Sequence, residues 1–377
     1  MSEEKFLFRE VLNAGVVEEL AGQIKKTYPR FDATGFVSDI NSNLGKLSFG
    51  ARSALISDKL AEYLPGDFRK ALEILVNSLG PEPEGDSLSG YNGFIIMPQC
   101  DFIAKYGIEY PDESLHALYE MTKRFSAEGQ IRAFIIRYPE KTYSFLEKLT
   151  KDKSPFARRL ASEGTRPRLP LGQRLQVYIK DPRPVIKLLD RLVNDPNLMV
   201  RRSVANNIND IAKDNPDIAV ETLKRWAEKK SPETEWLVKH AARTLLKLGN
   251  KGALELLGFS SDPAVSLTNL KLSSKKIVTG EKLCFSFSLQ SLRKSPRRLL
   301  IDYAIHYMKA NGRTKPKVFK LSQKTIGRSE SLEISKCHSF GEITTRKHYP
   351  GQHKLEILIN GRSYGEAAFT LSLQQNT

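Results

Sequence analysis

Four pairs of basic residues recur along the first two thirds of the chain, each at the same phase of a predicted helix. The pairs are Lys123-Arg124, Arg158-Arg159, Arg201-Arg202 and Lys239-His240. Steps of 35, 43 and 38 residues separate them. Repeats of this length with two helices per unit are typical of HEAT-like α-solenoids. Because the second helix of each unit lines the concave surface of a solenoid, we expect the pairs to form a row of cations along that surface.

The spacing of the apolar residues changes near residue 260. Before this point they are three and four residues apart, as in amphipathic helices. From about residue 265 they alternate, as in "LCFSFSL" and "LIDYAIHYM", which predicts half-buried strands. Asn311-Gly312 and Asn360-Gly361 are turn signals for hairpins. The sequence therefore predicts a mainly α protein, with a HEAT-like solenoid over residues 1–260 and a small all-β, immunoglobulin-like sandwich over residues 261–377.

The positive charge lies mostly in the predicted β-domain. The chain carries +16 overall, and residues 261–377 hold 20 lysines and arginines against 8 acidic residues. Such a distribution favours a polyanionic partner such as nucleic acid. We expect the β-domain to contact DNA, with Arg313 and Lys315 of its basic "NGRTKPK" loop reaching the phosphates.

The three cysteines, Cys100, Cys284 and Cys337, are far apart in the sequence and lack CxxC spacing. This pattern predicts neither a disulfide framework nor a zinc site, and we expect no metal and no cofactor. The chain begins without an apolar secretion segment and contains no apolar run of membrane-spanning length. We therefore expect a cytoplasmic, nucleoid-associated protein.

Three acidic residues fall into the same register as the basic pairs. Glu128 and Glu163 lie at equal steps from their pairs, and Asp210 lies one helical turn beyond Asn206, the equivalent position in the third copy. We expect these three carboxylates to converge on the concave surface. The arginines expected around them are Arg158, Arg159, Arg166 and Arg168.

A carboxylate close to a DNA phosphate repels the polyanion, so this placement needs a further reason. Cleavage of the glycosidic bond of an N-alkylated base supplies one. The base is already cationic and the sugar becomes oxocarbenium-like, and a fixed carboxylate stabilises both and can orient the attacking water. The residues alone leave three alternatives open. The acids could form structural Arg–Glu pairs between helices, the chain could be a non-catalytic DNA-binding solenoid, or it could be a HEAT-like scaffold for an acidic protein partner.

Several segments resemble one enzyme family. "FSAEGQIRAFI", "RRLASEGTRPRLP", "VRRSVANNINDIAKDNPD" and "HAARTLLKLGNKGALELLGF" are similar, in this order, to the AlkC branch of the bacterial alkylpurine DNA glycosylases, relatives of AlkD. "DYAIHYMKANGRTKPKVFKL" resembles the immunoglobulin-like domain of the larger AlkC proteins. The resemblance implies excision of 3-methyladenine-type cationic bases from duplex DNA without full base flipping. We expect the protein to act as a monomer.

The resemblance also assigns site residues. It places the catalytic carboxylate on Glu128, further site acids on Glu163 and Asp210, and phosphate-holding arginines on Arg159 and Arg166. In the family a tryptophan beside the lesion follows RPRLP, and here Leu171 stands in its place. The residues expected to contact DNA are Arg158, Arg159, Arg166, Arg168, Arg201, Arg202, Lys239, His240, Arg313 and Lys315. Because no lysine is placed as an obvious nucleophile among the acids, we expect hydrolysis alone, without strand cleavage.

Overall fold

A computed structural model describes residues 7–83, 92–342 and 346–374, and the chain divides into two compact units. The first unit, Met1–Ala241, is helical throughout its described part, and the second, Ala242–Thr377, holds two short helices and all the described strands. Residues 242–260 therefore group with the β-strands, although their apolar spacing is helical.

The α-helices of the first unit are connected by short turns. They are α1 (Ala14–Thr27), α2 (Ala33–Leu44), α3 (Phe49–Tyr63), α4 (Phe68–Asn77), α5 (Met97–Tyr106), α6 (Pro111–Thr122), α7 (Ile131–Arg137), α8 (Pro139–Leu149), α9 (Pro155–Glu163), α10 (Gln176–Lys180), α11 (Arg183–Leu192), α12 (Leu198–Ile211), α13 (Pro216–Ala227) and α14 (Pro232–Ala241). Two 3₁₀ helices accompany them, Phe8–Val11 and Asn92–Ile96.

Local sequence signals fix where many of these helices begin. Asn13, Asp32 and Asp67 cap α1, α2 and α4, each side chain accepting a hydrogen bond from a backbone N–H three residues later. Proline opens α6, α8, α9, α13 and α14, where its missing N–H has no intrahelical acceptor to serve.

The repeat seen in the sequence is a repeat of helix pairs. The helices α8 and α9, α11 and α12, and α13 and α14 pack as pairs, and α12 packs against both α9 and α14. The second helix of each pair carries one of the basic pairs and buries its apolar face, as Leu160, Val204 and Leu237 show. The predicted HEAT-like solenoid is therefore confirmed.

In the second unit, α15 (Arg243–Lys247) and α16 (Lys251–Leu256) precede a β-sandwich. Its strands are β1 (Val265–Leu272), β2 (Lys276–Val278), β3 (Lys282–Ser291), β4 (Arg297–Met308), β5 (Thr314–Ile326), β6 (Ser331–Ser339), β7 (Gly351–Ile359) and β8 (Arg362–Ser372). One sheet has the order β1-β3-β6 and the other the order β2-β8-β7-β4-β5. Alternate residues of both sheets form the core, among them Phe287, Ile301, Ile305 and Ile357. The predicted immunoglobulin-like sandwich is confirmed.

Both predicted hairpin turns are present. Asn360 and Gly361 form a two-residue loop between β7 and β8, with φ of 47° and 76°. Gly361 also packs against Gly249, and a Cβ atom at position 361 would lie 2.1 Å from the Gly249 Cα. The turn between α15 and α16 therefore contacts this hairpin directly, which explains why residues 242–260 belong to the second unit.

One expectation from the cysteines is wrong. Cys284 of β3 and Cys337 of β6 stand opposite each other in the antiparallel ladder and form a disulfide, while Cys100 is free and buried. Linear spacing gave no sign of this pairing because strand register, not sequence separation, brings the two residues together.

None of the described helices combines the length and the apolar character needed to span a lipid bilayer.

Candidate active site

Glu128 lies in the turn between α6 and α7, and about a quarter of its side chain is exposed. Arg159 of α9 donates to both of its oxygens, Nη1 to Oε2 and Nη2 to Oε1, at 3.2 Å each. The same Nη1 donates to the Ser126 hydroxyl at 2.9 Å. The Arg159 guanidinium thus fixes the Glu128 carboxylate through two contacts. The Glu128 side chain also borders a cavity.

The other two predicted acids continue this arrangement into the protein interior. Glu163 Oε1 accepts from Arg166 Nη1 at 2.6 Å, and Arg166 Nε donates to Asp210 Oδ2 at 2.8 Å. Arg159 Nη2 lies 3.9 Å from Glu163 Oε1, which joins this group to Glu128. The three carboxylates and two arginines form one chain of alternating charge, which we call the acid–arginine chain.

Exposure separates Glu128 from the other two acids. The side chains of Glu163 and Asp210 are 8% and 2% exposed. Their remaining oxygens are also engaged, Glu163 Oε2 by the Ser203 hydroxyl at 2.6 Å and Asp210 Oδ1 by Lys213 Nζ at 2.6 Å. Of the three acids, Glu128 is therefore the one that borders open space.

The carboxylates keep both arginines charged. Burial disfavours the charged form of Arg159, but Glu128 and Glu163 outweigh it and raise the pKa of this guanidinium. Burial likewise opposes the charge of Arg166, and Glu163 and Asp210 raise its pKa in the same way. Both guanidinium groups therefore remain positively charged beside these carboxylates despite their burial.

The loop that follows α9 is held by a fully buried arginine. Arg132 of α7 donates to the carbonyl oxygens of Gly164, Arg166 and Gln173 at 3.0, 2.8 and 2.6 Å. Burial, followed by the charge of Arg166, lowers the pKa of Arg132 to about 10. Because these carbonyls span the whole RPRLP segment, Arg132 sets the position of the loop relative to Glu128.

Leu171 lies at the tip of this loop. Its side chain is 97% exposed, and its φ of 61° is the left-handed region that a leucine seldom adopts. Arg168, three residues before Leu171, anchors the loop by donating to both oxygens of Asp214, at 2.6 and 2.5 Å. An exposed apolar side chain is thus held in a strained conformation at the rim of the cavity next to Glu128.

The first arginine of two basic pairs supports its own helix. Arg158 Nη1 donates to the carbonyls of Asp152 and Lys153, six and five residues before it. Arg201 Nη1 donates to Asp195 and Pro196 in the same way, and Arg158 also forms a bidentate contact with the Asp195 carboxylate. These arginines hold the turn that precedes each second helix of a pair.

The remaining predicted DNA-contacting residues differ in exposure. Arg202 and Lys239 are exposed on α12 and α14, and Arg313 and Lys315 are exposed at the hairpin between β4 and β5. His240 is half-buried and stacks on Trp236, with ring centroids 5.1 Å apart. The predicted row therefore contains two arginines that support their own helices, one arginine paired with Glu128, and the exposed Arg202 and Lys239.

The structure of this chain matches that of a solved protein over nearly its full length. Its fold superposes with a TM-score of 0.87 on the Pseudomonas fluorescens alkylpurine DNA glycosylase AlkC bound to DNA containing an abasic site analog. The two sequences are 35% identical, and the match covers 97% of this chain and 99% of the other. The chain belongs to the AlkC family.

A second relative of this AlkC-family chain is the uncharacterized protein YhaZ of Bacillus subtilis (strain 168). The two are 36% identical over 354 residues, 94% of this chain and 96% of YhaZ. Residues 266–373 match the family model described as the C-terminal Ig-like domain of the uncharacterised protein YhaZ. Both units of this AlkC-family protein thus have close counterparts.

Sequence reasoning missed several residues of the site in this AlkC-family protein. They are Asp101, Ser126, Arg132, Ser203 and Lys213. Arg132 had a detectable signal, since it is the single charge in the apolar run "IRAFII". Lys213 lies three residues after Asp210, within contact distance on a helical turn. Asp101 had none, because it lies before the first recognisable repeat.

Proposed function

We propose that this protein is a DNA repair glycosylase that hydrolyses the N-glycosidic bond of cationic N-alkylated bases, of the 3-methyladenine type, in duplex DNA. The observation that carries the proposal is Glu128, a carboxylate fixed by Arg159 and bordering a cavity in a basic helical repeat protein. The AlkC relative was solved with DNA that contains an abasic site analog, the kind of product such a reaction leaves.

The reaction needs a carboxylate and no acid. When the bond from C1′ to the base nitrogen breaks, its electron pair neutralises the cationic base, which leaves without being protonated. The positive charge moves to the sugar, where the Glu128 carboxylate stabilises it. Water adds to C1′, and its proton passes to Glu128 and then to solvent. The products are a neutral base and an abasic site.

The roles of the three acids differ in this proposal. Only Glu128 faces the reacting atoms, because Glu163 and Asp210 are buried and hydrogen-bonded on both oxygens. We assign Glu163 and Asp210 to positioning Arg159 and Arg166, which in turn orient Glu128 and the loop after α9. Lys213 is ion-paired with Asp210, at the opposite end of the acid–arginine chain from Glu128. We therefore propose that the protein hydrolyses the glycosidic bond without cleaving the DNA strand.

DNA binding is assigned to the exposed cations. Arg202 and Lys239 of the solenoid and Arg313 and Lys315 of the sandwich are free of the acid–arginine chain and exposed to solvent. Arg158 and Arg201 instead donate hydrogen bonds to the backbone carbonyls of the turns before their own helices. Arg159, Arg166 and Arg168 are paired with carboxylates and would reach a phosphate only by sharing those partners. We further propose that the protein acts as a monomer in the cytoplasm, and that the base stays within the kinked duplex until its bond is cut.

The test is release of 3-methyladenine from methylated duplex DNA by the wild type, Glu128→Gln and Glu147→Gln. Glu147 is a matched control, an exposed glutamate that accepts from Arg191 outside the site. Loss of the carboxylate charge should slow release by about 100-fold or more with DNA binding retained, and Glu147→Gln should match the wild type.

Two results would reject the proposal. Duplex binding without base release by the wild type would leave a non-catalytic DNA-binding solenoid. Equal affinity for heparin and duplex DNA would favour a scaffold for acidic partners.

A further inference from the structure

The cavity beside Glu128 has a volume of about 540 Å³ and an aromatic wall. The wall consists of Phe8, Phe49, Phe94 and Phe125. The Phe94 ring centroid lies 4.6 Å from that of Phe125, 5.7 Å from that of Phe49 and 5.6 Å from that of Phe8. Phe94 thus contacts the other three rings, and the four form one continuous array.

This wall depends on a glycine. A Cβ atom at Gly93 would lie 2.3 Å from Cδ2 of Phe125, so the ring packs directly on bare backbone. The four rings come from separate segments: the 3₁₀ helix Phe8–Val11, the start of α3, the 3₁₀ helix Asn92–Ile96 and the turn after α6. A concave surface lined mainly by aromatic and apolar side chains, with a few polar groups, is typical of small-molecule sites.

A carboxylate other than Glu128 also borders the cavity. Asp101 of α5 accepts hydrogen bonds from the Gln130 amide at 2.6 Å and from the Ser53 hydroxyl. Within residues 7–83, 92–342 and 346–374, no lysine, arginine or histidine forms an ion pair with Asp101. Its carboxylate is therefore available to a ligand, unlike that of Glu128, which Arg159 already contacts.

We propose that this cavity binds the freed alkylated base after its glycosidic bond has been cut. The inference rests on the proposed function, which generates this base next to Glu128. A purine offers flat faces that stack on the Phe94 and Phe125 rings and an amino group that donates to Asp101. The volume lies within the range of small-molecule sites. Capture in the cavity removes the base from the duplex and makes the freed base a competitive inhibitor.

The experiment measures binding of 3-methyladenine to the DNA-free, full-length protein by isothermal titration calorimetry. The variants are Asp101→Asn, which keeps the shape of the side chain but removes its charge, and Phe94→Leu, which removes the central ring. Both should weaken binding at least tenfold.

The control variant is Asp58→Asn. Asp58 lies on α3 and pairs with Lys105 and Tyr106 of α5, outside the cavity. The affinity of this variant for 3-methyladenine should therefore equal that of the wild type. Circular dichroism establishes that each variant is folded. Two independent variants keep the test valid if one of them fails to fold.

The outcomes separate this inference from the proposed function. If the wild type releases base from DNA but does not bind free 3-methyladenine, or if both cavity variants bind it as the wild type does, the cavity assignment is wrong. If the wild type binds the free base through Asp101 and Phe94 but releases none from methylated duplex, the cavity assignment stands and the reaction is rejected.

Discussion

Asp302 shows what a single buried carboxylate does to the β-sandwich. It lies on β4, is 2% exposed, and its Oδ1 has no hydrogen-bond partner among the described residues. Burial raises its pKa from an ordinary value of 3.8 to about 6, and Lys247 and Lys320 only partly oppose this. Between about pH 4 and pH 6 the folded state binds more protons at this group than the unfolded state. Its contribution to stability therefore falls as the pH rises through this window.

Asp302→Asn should accordingly raise the free energy of unfolding at pH 7 by up to about 3 kcal/mol and leave it unchanged below pH 4. Urea unfolding followed by circular dichroism at both pH values measures the difference from the wild type. The exposed Asp262, replaced by asparagine, serves as the control and should have little effect at either pH. An equal gain at both pH values would show that the charge is not the cause.

The basic pairs show where residue-level prediction reaches its limit. The sequence register brings Glu128, Glu163 and Asp210 into one neighbourhood, because helical phase determines which residues share a face. Phase does not distinguish an arginine that bonds its own helix, such as Arg158 or Arg201, from one that reaches a ligand. Both need the same position on the helix, and only the partners on neighbouring turns decide between them.

At the scale of elements, the loop after α9 combines rigidity with strain. Arg132 and Arg168 hold it in place, and Leu171 at its tip adopts a left-handed conformation with its side chain in solvent. The sequence predicted a loop there from glycine and prolines, but not the conformation of Leu171, since it depends on the buried side chain of Arg132. Strain maintained at an exposed apolar residue is typical of a functional position.

Leu171→Gly should raise the free energy of unfolding by about 1 kcal/mol, because glycine adopts this conformation without strain. It should also slow base release several-fold, because the side chain at the cavity rim is lost. Chemical denaturation and the base-release assay measure the two effects. Lys230→Gly is the matched control, with a φ of 50° three residues after α13, and should gain stability without losing activity. If both variants keep full activity, Leu171 has no role at the lesion.

Two residues, Asn360 and Gly361, predict the hairpin turn between β7 and β8. Asn360-Gly361 correctly indicates a tight turn, yet the contact of Gly361 with Gly249 could not be read from the sequence. It depends on how α15 and α16 pack against the strands.

Gly361→Ala should therefore destabilise the protein by about 2 kcal/mol more than Gly312→Ala does. Both glycines have positive φ, 76° and 71°, and so carry the same conformational penalty for alanine, but nothing lies within 4 Å of a Cβ atom at position 312. Thermal and urea unfolding of the two variants isolate the steric contribution. Equal losses of stability in the two variants would mean that the β7–β8 turn shifts to accommodate the Cβ atom at no energetic cost.

For the whole molecule, the charge distribution determines how binding responds to salt. The acid–arginine chain is internally paired, so most of the net charge of +16 resides on exposed side chains such as Arg313 and Lys315. Cations that release counterions from DNA are those that reach phosphates.

Replacing Arg313 and Lys315 together by glutamine should reduce the slope of log affinity against log salt by about 2. Fluorescence anisotropy with duplex DNA over a salt series provides the measurement. Lys141→Gln with Arg225→Gln removes the same charge from residues already paired with Asp112 and Asp190, and should change the slope less. An unchanged slope in the hairpin variant would place the DNA contacts elsewhere.

The disulfide between Cys284 and Cys337 gives the β-sandwich a covalent topology. The bond closes a ring of chain across a separation of 53 residues, and this ring contains β4, β5 and the exposed hairpin with Arg313 and Lys315. Since its two ends lie in one sheet while β4 and β5 lie in the other, the ring passes through both layers. Closing a loop of this length lowers the conformational entropy of the unfolded chain, which raises its free energy by about 4 kcal/mol. The stability of the segment that carries the basic hairpin is thus linked to the redox state of its surroundings.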